Sequence, residues 1–139
     1  WFDYLMNLAK YVMLEGAHGF EARHVGGGAP PIKTKRGWLI IYHGVEESNN
    51  GRIYRAGAAL FSLDHPRKLI ARLPYPLFAP KEDYEIRGQV NRVVFPTGTS
   101  IFKNRLYIYY GAADSRIAAA SVSLDGLLAE LTKYKIKRH

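Results

Sequence analysis

A lysine and a histidine near the ends of two neighbouring strands, beside three consecutive glycines, are the residues of this chain best suited to chemistry. They lie in Gly26–Val45, GGGAPPIKTKRGWLIIYHGV. The Pro30-Pro31 break leads into a strand that ends in Lys33. A tight turn at Lys35-Arg36-Gly37 then starts a second strand, Trp38–His43. Antiparallel pairing of the two predicts that Lys33 and His43 come together over backbone that other groups can approach closely, because glycine carries no Cβ. A compact cation, an imidazole and accessible N–H donors suit an anion, and phosphate is the expected one. Each residue also has a plainer reading. Lys33 alone is an exposed strand-end lysine, and His43 alone is a buried histidine satisfied by backbone.

The elements that must position these residues follow from an internal repeat. Pro31–Gly44 lies over Gly98–Gly111 without a gap, pairing Leu39 with Leu106, Ile41 with Ile108, Tyr42 with Tyr109 and Gly44 with Gly111. Ala58–Asp64 then lies over Ala119–Asp125, the intervening difference falling in the polar stretch Glu46–Arg52, EESNNGR, which reads as a hairpin tip. Each unit reads as four strands: Ala29–Thr34, Trp38–His43, Tyr54–Asp64 and Leu69–Leu73, then Val93–Phe102, Arg105–Tyr110, Ile117–Leu124 and roughly Glu130–Ile136. The unbroken apolar runs Trp38–Tyr42 and Leu106–Tyr110 suit strands covered on both faces. Alanines crowd the third strand of each unit, where neighbouring sheets could pack closely. The fold class expected is therefore all-β, two consecutive four-stranded antiparallel blades of a β-propeller. Two blades do not close a ring, so self-association or a partner supplying the missing part is expected. Residues 1–24 read as the end of a preceding blade or a linker. Lys10–Leu14 admits a strand, whereas Leu5, Leu8 and Val12 have helical spacing.

Composition narrows the function classes. The chain has 139 residues, 47% of them hydrophobic and 23% charged, which fits one folded domain and excludes wholesale disorder. It has no cysteine, so disulfides and thiolate metal sites are excluded, no metal is expected, and a reducing cytoplasm is the simplest compartment. No apolar stretch approaches the ~18 residues of a membrane span. The chain starts at Trp1 without a signal pattern, which reads as a fragment or a processed chain. The net charge of +8 invites a nucleic-acid partner. The basic residues are scattered, however. The one dense run, with Lys133, Lys135 and Lys137 alternating with Tyr134 and Ile136, reads as one guarded face of a terminal strand, so no nucleic-acid partner is expected. Gly26-Gly27-Gly28 is not followed by a helix, which argues against a nucleotide cradle.

The segments GGGAPPIKT, GWLIIYHGV, YRAGAALFSLDHPRKLIAR, VVFPTG and LYIYYGAAD, in this order over about residues 20–130, resemble successive motifs of glycoside hydrolase family 130. These are β-mannoside phosphorylases and related β-mannosidases built as five-bladed propellers. The resemblance implies that residues 1–139 are the C-terminal part of such a propeller, with blades at 25–75 and 90–137. It implies phosphorolysis: phosphate attacks the anomeric carbon of a terminal β-1,4-mannosyl unit and yields mannose 1-phosphate with inversion. Phosphate is then a co-substrate, and no other cofactor is implied. Lys33 and His43 match phosphate-binding positions, Tyr54 and Asp114 sugar-contacting ones, and Phe95 an aromatic position flanking the acceptor sugar. Plainer readings are a turn residue for Asp114 and core packing for Phe95. Family members often carry Pro-Asn where this chain has Asn91-Arg92, so Arg92 is a candidate contact for the acceptor or for phosphate.

The proton-donating aspartate of the family has no counterpart here. Asp3 is the only acidic residue among the first fourteen, and its surroundings do not resemble the catalytic motif. The acid is expected upstream of Trp1, and this chain is expected to carry half an active site. Two alternatives remain beside phosphorolysis: a β-mannosidase of the same family and a non-catalytic carbohydrate-binding half-propeller.

Overall fold

A computed structural model of the chain describes residues 1–136. Two antiparallel sheets dominate it. The first is built on a long hairpin of β3 (Gly37–Ser48) and β4 (Gly51–Phe61), in unbroken register from Trp38↔Phe61 to Ser48↔Gly51. Two short strands, β1 (His24–Gly26) and β2 (Ile32–Thr34), share the other side of β3, and β5 (Leu69–Arg72) pairs with β4. The second sheet is β6 (Val94–Phe102), β7 (Arg105–Ala112) and β8 (Arg116–Ser123), in that order. Helices are few: α1 (Phe2–Met6), α2 (Asp83–Ile86), α3 (Leu124–Lys133) and two 3-10 turns, Leu8–Tyr11 and Gly19–Glu21.

Side-chain alternation assigns the faces. Odd-numbered residues of β3 and their partners on β4 (Leu39, Ile41, Ala58, Leu60) meet Leu106 and Ile108 of β7, and Leu127, Leu128 and Leu131 of α3 close the cluster. Each large aliphatic buried there contributes about 1.5–3 kcal/mol. The repeat-paired residues Leu39/Leu106 and Ile41/Ile108 thus form one shared core. Even-numbered residues of β3 (Trp38, Ile40, Tyr42) face the other way, with Phe61, Leu14 and Val25. The expected hairpin tip is shorter than Glu46–Arg52, because the ladder runs on until Asn49 and Asn50 turn it, and Gly51 takes the positive φ of 99° that the turn requires.

The Trp38 face also holds a buried polar group. The Glu21 carboxylate accepts hydrogen bonds from the N–H groups of Ala17 (3.0 Å) and His18 (3.1 Å) and from the Tyr42 hydroxyl (2.5 Å). Arg72 Nη2 lies 2.8 Å from it, close enough for an ion pair but off the hydrogen-bonding axis. The Arg72 side chain also donates to Tyr42 Oη and to the Glu15 carbonyl, tying residues 15–21 to the sheet. Burial and the Glu21 carboxylate push the Tyr42 hydroxyl far above its ordinary pKa. The second unit has a similar carboxylate without the arginine: Glu85 accepts from Lys81 N, Glu82 N and the hydroxyl of Tyr110, one residue beyond the repeat partner of Tyr42.

Several expectations are corrected. Glu130–Ile136 is not a fourth strand of the second unit, because α3 runs through Lys133. Leu124, Leu127, Leu128 and Leu131 recur at helical spacing, and the Ser123 hydroxyl caps the helix by accepting from Gly126 N (3.1 Å). Lys133 and Lys135 therefore do not share a strand face, and Lys137 lies outside the described residues. Among the described residues the second sheet consequently has three strands, not four. Finally, Ala29–Thr34 is a strand only at Ile32–Thr34, and Lys10–Leu14 pairs with no strand among the described residues. No described helix is long and apolar enough to cross a membrane.

Arg72→Ala would leave Glu21 buried without its cation, and breaking such a pair typically costs about 3–5 kcal/mol. Urea unfolding should show a loss of that size. A loss below about 1 kcal/mol, the value of an exposed pair, would contradict the role assigned to the pair.

Candidate functional site

The site forms where β1, β3 and β4 of the first sheet meet β6 of the second. His43 on β3 is 6% exposed, and its ring lies between the Gly26 backbone and the Phe95 ring. A Cβ on Gly26 would come within 2.3 Å of His43 Nε2, so only glycine fits this approach. A Cβ on Gly28 would likewise strike the Ile41 carbonyl at 2.4 Å. These close approaches account for the first and third glycines of the run, whereas a Cβ on Gly27 would meet nothing within 4 Å. The centroids of His43 and Phe95 are 4.2 Å apart, those of His43 and Tyr54 5.8 Å, and those of Tyr54 and Phe95 6.4 Å. His24 on β1 closes the group, its ring edge-on to His43 at 6.4 Å.

His43 Nδ1 is buried without a hydrogen-bond partner among the described residues. Buried polar atoms are seldom left so, and those that are mark candidate functional groups. Burial, and next the neighbouring His24, lower the pKa of His43, against a hydrogen bond with the Gly27 backbone that raises it. The imidazole is therefore neutral at neutral pH, one nitrogen able to donate and the other to accept. An anion placed against it would oppose both effects and favour the charged form.

The predicted residues divide into those gathered here and those left out. His43, Tyr54 and Phe95 are brought together. Asp114 stands exposed in the β7–β8 turn at φ 54°, and the preceding residue, Ala113, donates its N–H to the Val93 carbonyl (3.0 Å). Val93 bridges Tyr54, so the Asp114 turn is fastened beside the ring group. Phe95 is 36% exposed and is not core packing. Arg92 also adjoins Tyr54 through its backbone, its carbonyl accepting from Tyr54 N (3.0 Å), but its guanidinium donates to the Asn50 carbonyl at the β3–β4 tip.

Lys33 is not part of the group, which corrects the expected Lys33–His43 pair. Lys33 pairs with Trp38, and its ammonium lies 5.9 Å from the Trp38 ring centroid, on the even-numbered face of β3. His43 is five residues further along β3, about 16 Å at ~3.3 Å per residue, and on the opposite face.

His24 and the carboxylates of Glu21 and Glu85 had not been singled out from sequence. The usable signal for the carboxylates was the recurring aromatic-Glu pair, Phe20-Glu21 and Tyr84-Glu85, ahead of the first long strand of each unit.

The family described as beta-1,4-mannooligosaccharide phosphorylase, glycoside hydrolase family 130, matches residues 6–133. The chain belongs to that family. It is 43% identical over 109 residues to a beta-1,2-mannobiose phosphorylase of Thermoanaerobacter sp., covering 78% of this chain and 35% of that protein. It is 38% identical over 111 residues to the beta-1,4-mannooligosaccharide phosphorylase of Ruminococcus albus, covering 78% and 33%. The structure of the Listeria innocua beta-1,2-mannobiose phosphorylase in complex with beta-1,2-mannobiose superposes with a TM-score of 0.75 at 37% identity, covering 82% of this chain and 31% of that one. The chain thus spans about a third of the length of these relatives.

With its folded pKa lowered, His43 takes up a proton later than in the unfolded chain. The stability it contributes is therefore present above ~6.5 and declines as pH falls below that value. NMR titration of the imidazole in anion-free buffer should give a midpoint below ~6.5. A midpoint at or above 7 would contradict the environment described.

Proposed function

We propose that the protein carrying this chain cleaves a terminal β-mannoside with inorganic phosphate, releasing mannose 1-phosphate with inversion, and that these residues form the half of the site that receives the nucleophile and part of the sugar. The observation that carries the reading is His43: a buried imidazole with an unpartnered nitrogen, set against a glycine backbone and walled by Tyr54 and Phe95. Phosphate needs donors of fixed direction as its oxygen approaches the anomeric carbon, and His43 offers one that gains charge as the anion binds. We assign the Tyr54 hydroxyl and the Asp114 carboxylate to hydrogen bonds with sugar hydroxyls, and the exposed face of Phe95 suits the apolar side of a pyranose.

Lys33, on the far face, has no part in this proposal. Leaving-group protonation falls to a carboxylic acid elsewhere in the domain, and phosphate is the co-substrate. General-acid assistance is typically worth ~10²–10⁴-fold, so these residues alone should not turn over substrate. Linkage divides the relatives: the Ruminococcus enzyme is named for β-1,4 linkages and the other two for β-1,2. The β-1,4 linkage implied by the sequence motifs is therefore tested against β-1,2. The guanidinium of Arg92, held by the hairpin tip, would act on acceptor preference by fixing that tip.

The test is product formation by the complete protein from β-1,2- and β-1,4-mannobiose, with and without phosphate. Mannose 1-phosphate should appear only with phosphate. Equal mannose release in both conditions would make the protein a hydrolase, and saccharide binding without turnover would make it a binding module. His43→Ala should raise KM for phosphate by roughly 10–100-fold, the loss of a hydrogen bond to a charged group, whereas Asp114→Ala should act on the sugar. Lys33→Ala should leave both unchanged.

A further inference from the structure

The imidazole of His43 meets its surroundings through two unlike nitrogens. Nε2 is turned toward Gly26, where a Cβ would lie 2.3 Å from it, and the ring is hydrogen-bonded to the Gly27 backbone. That bond raises the pKa of the ring, which a backbone group does by accepting, so the Gly27 carbonyl takes the ring N–H. A neutral imidazole has a single N–H. Nδ1, buried and without a partner among the described residues, is therefore left as an acceptor.

The groups packed around the ring keep it in that state. β1 presents His24, edge-on at 6.4 Å, β4 presents Tyr54 at 5.8 Å, and β6 presents the uncharged Phe95 at 4.2 Å. On β3 itself the neighbours on the same face are Ile41 and Val45. The Glu21 carboxylate, ahead of β1, is committed to Tyr42 and Arg72. Arg92 donates its guanidinium to the Asn50 carbonyl, and Asp114 stands exposed in its turn. Among the described residues no carboxylate forms an ion pair with His43 that would hold it protonated.

An acceptor in an anion site favours anions that carry a proton. The hydrogen phosphate dianion has one P–O–H to donate; sulfate, of the same shape and charge, has none. Against sulfate, the Nδ1 lone pair would face an oxygen lone pair at a buried position, where an unmade hydrogen bond is costly. We propose that His43 selects phosphate over sulfate by accepting the phosphate's own proton at Nδ1, so that phosphate binds without a proton from solvent and sulfate only with one. The proton passes from the phosphate oxygen toward Nδ1 and no other bond changes. The ring gains the positive charge, and the oxygen gains the matching negative one. An anion must displace a neighbour to reach Nδ1, and Phe95, 36% exposed, has solvent to move into. The inference rests on the phosphate reading of this site and adds what distinguishes that anion from its nearest analogue.

Titration calorimetry on the complete protein tests it, with inorganic phosphate and sulfate as probes in two buffers of different ionisation enthalpy. At about pH 8, phosphate should bind roughly 10–100-fold more tightly than sulfate, the effect of one unmade hydrogen bond at a buried group. Between about pH 8 and 9, sulfate binding should take up about one proton and weaken roughly tenfold, whereas phosphate, already the hydrogen phosphate dianion, should take up almost none. His43→Ala should bring the two anions to near equality, chiefly by weakening phosphate, and should remove the pH slope for sulfate. His24→Gln should keep both the preference and the slope. If His43→Ala fails to fold, the proton count in the unmodified protein decides. Equal affinities at about pH 8, or equal proton uptake with both anions, would overturn the inference while leaving phosphate as co-substrate. A preference that survives His43→Ala, or is lost in His24→Gln, would overturn it by assigning the selection to another group. If neither anion binds, the inference falls together with the site on which it rests.

Discussion

Side-chain alternation along β3 is the constraint on which the rest of the structure depends. Leu39 and Ile41 of that strand enter the core shared with the second sheet, and Trp38, Ile40 and Tyr42 between and beside them pack on the opposite face. Leu39 and Ile41 lock the sheets together by burial, and His43, next in the same series, is carried to the seam where β6 arrives. The same alternation carries Lys33 away, because it pairs with Trp38 on the other face. A slip of one residue in the β2–β3–β4 register would turn the core outward and remove the histidine from the seam. Stability and site geometry therefore rest on one register.

Two buried carboxylates convert that packing into positions. Glu21 fastens residues 15–21 against Tyr42, just ahead of β1, which supplies His24 and Gly26. Glu85 fastens α2 against Tyr110, and the turn that follows fixes the loop, with Arg92 N donating to the Ile86 carbonyl and Val93 N to the Glu85 carbonyl. Val93 in turn meets Tyr54 and Ala113, the neighbours of the candidate site. Burial raises the pKa of Glu85, but the hydrogen bonds from Tyr110, Lys81 and Glu82 outweigh it and hold the carboxylate below its ordinary range. The anchor thus stays ionised and keeps its partners at neutral pH.

Much of this was legible in the residues, and the failures have identifiable physical causes. The repeat pairs Leu39/Leu106 and Ile41/Ile108 disclosed the shared core because burial on matching strands selects matching side chains. The Lys35-Arg36-Gly37 turn, which sets the β2–β3 register, was also readable. The side of the sheet taken by Lys33 was not, since Trp38–Tyr42 is apolar at every position and shows no alternation. Lys33 pairs with Trp38, and His43 stands five positions beyond Trp38, an odd number that places the two on opposite faces. The leucines of α3 carry a helical period, and the internal repeat does not extend to a fourth strand there. His43, Tyr54 and Phe95 came from motif resemblance, because contacts between strands of different sheets leave no local pattern. The buried pairs of Glu21 and Glu85 are likewise tertiary, visible only as two aromatic-Glu steps.

The central claim is that the anion-receiving side of this chain is the seam around His43 and not the face that carries Lys33. Phosphate titration followed residue by residue in NMR spectra of the chain tests it most directly. The account predicts that the signals of Gly26–Gly28, His43, Tyr54 and Phe95 move together along one binding curve while those of Lys33 and Trp38 stay still. Movement at Lys33 and Trp38 with His43 unaffected would contradict it.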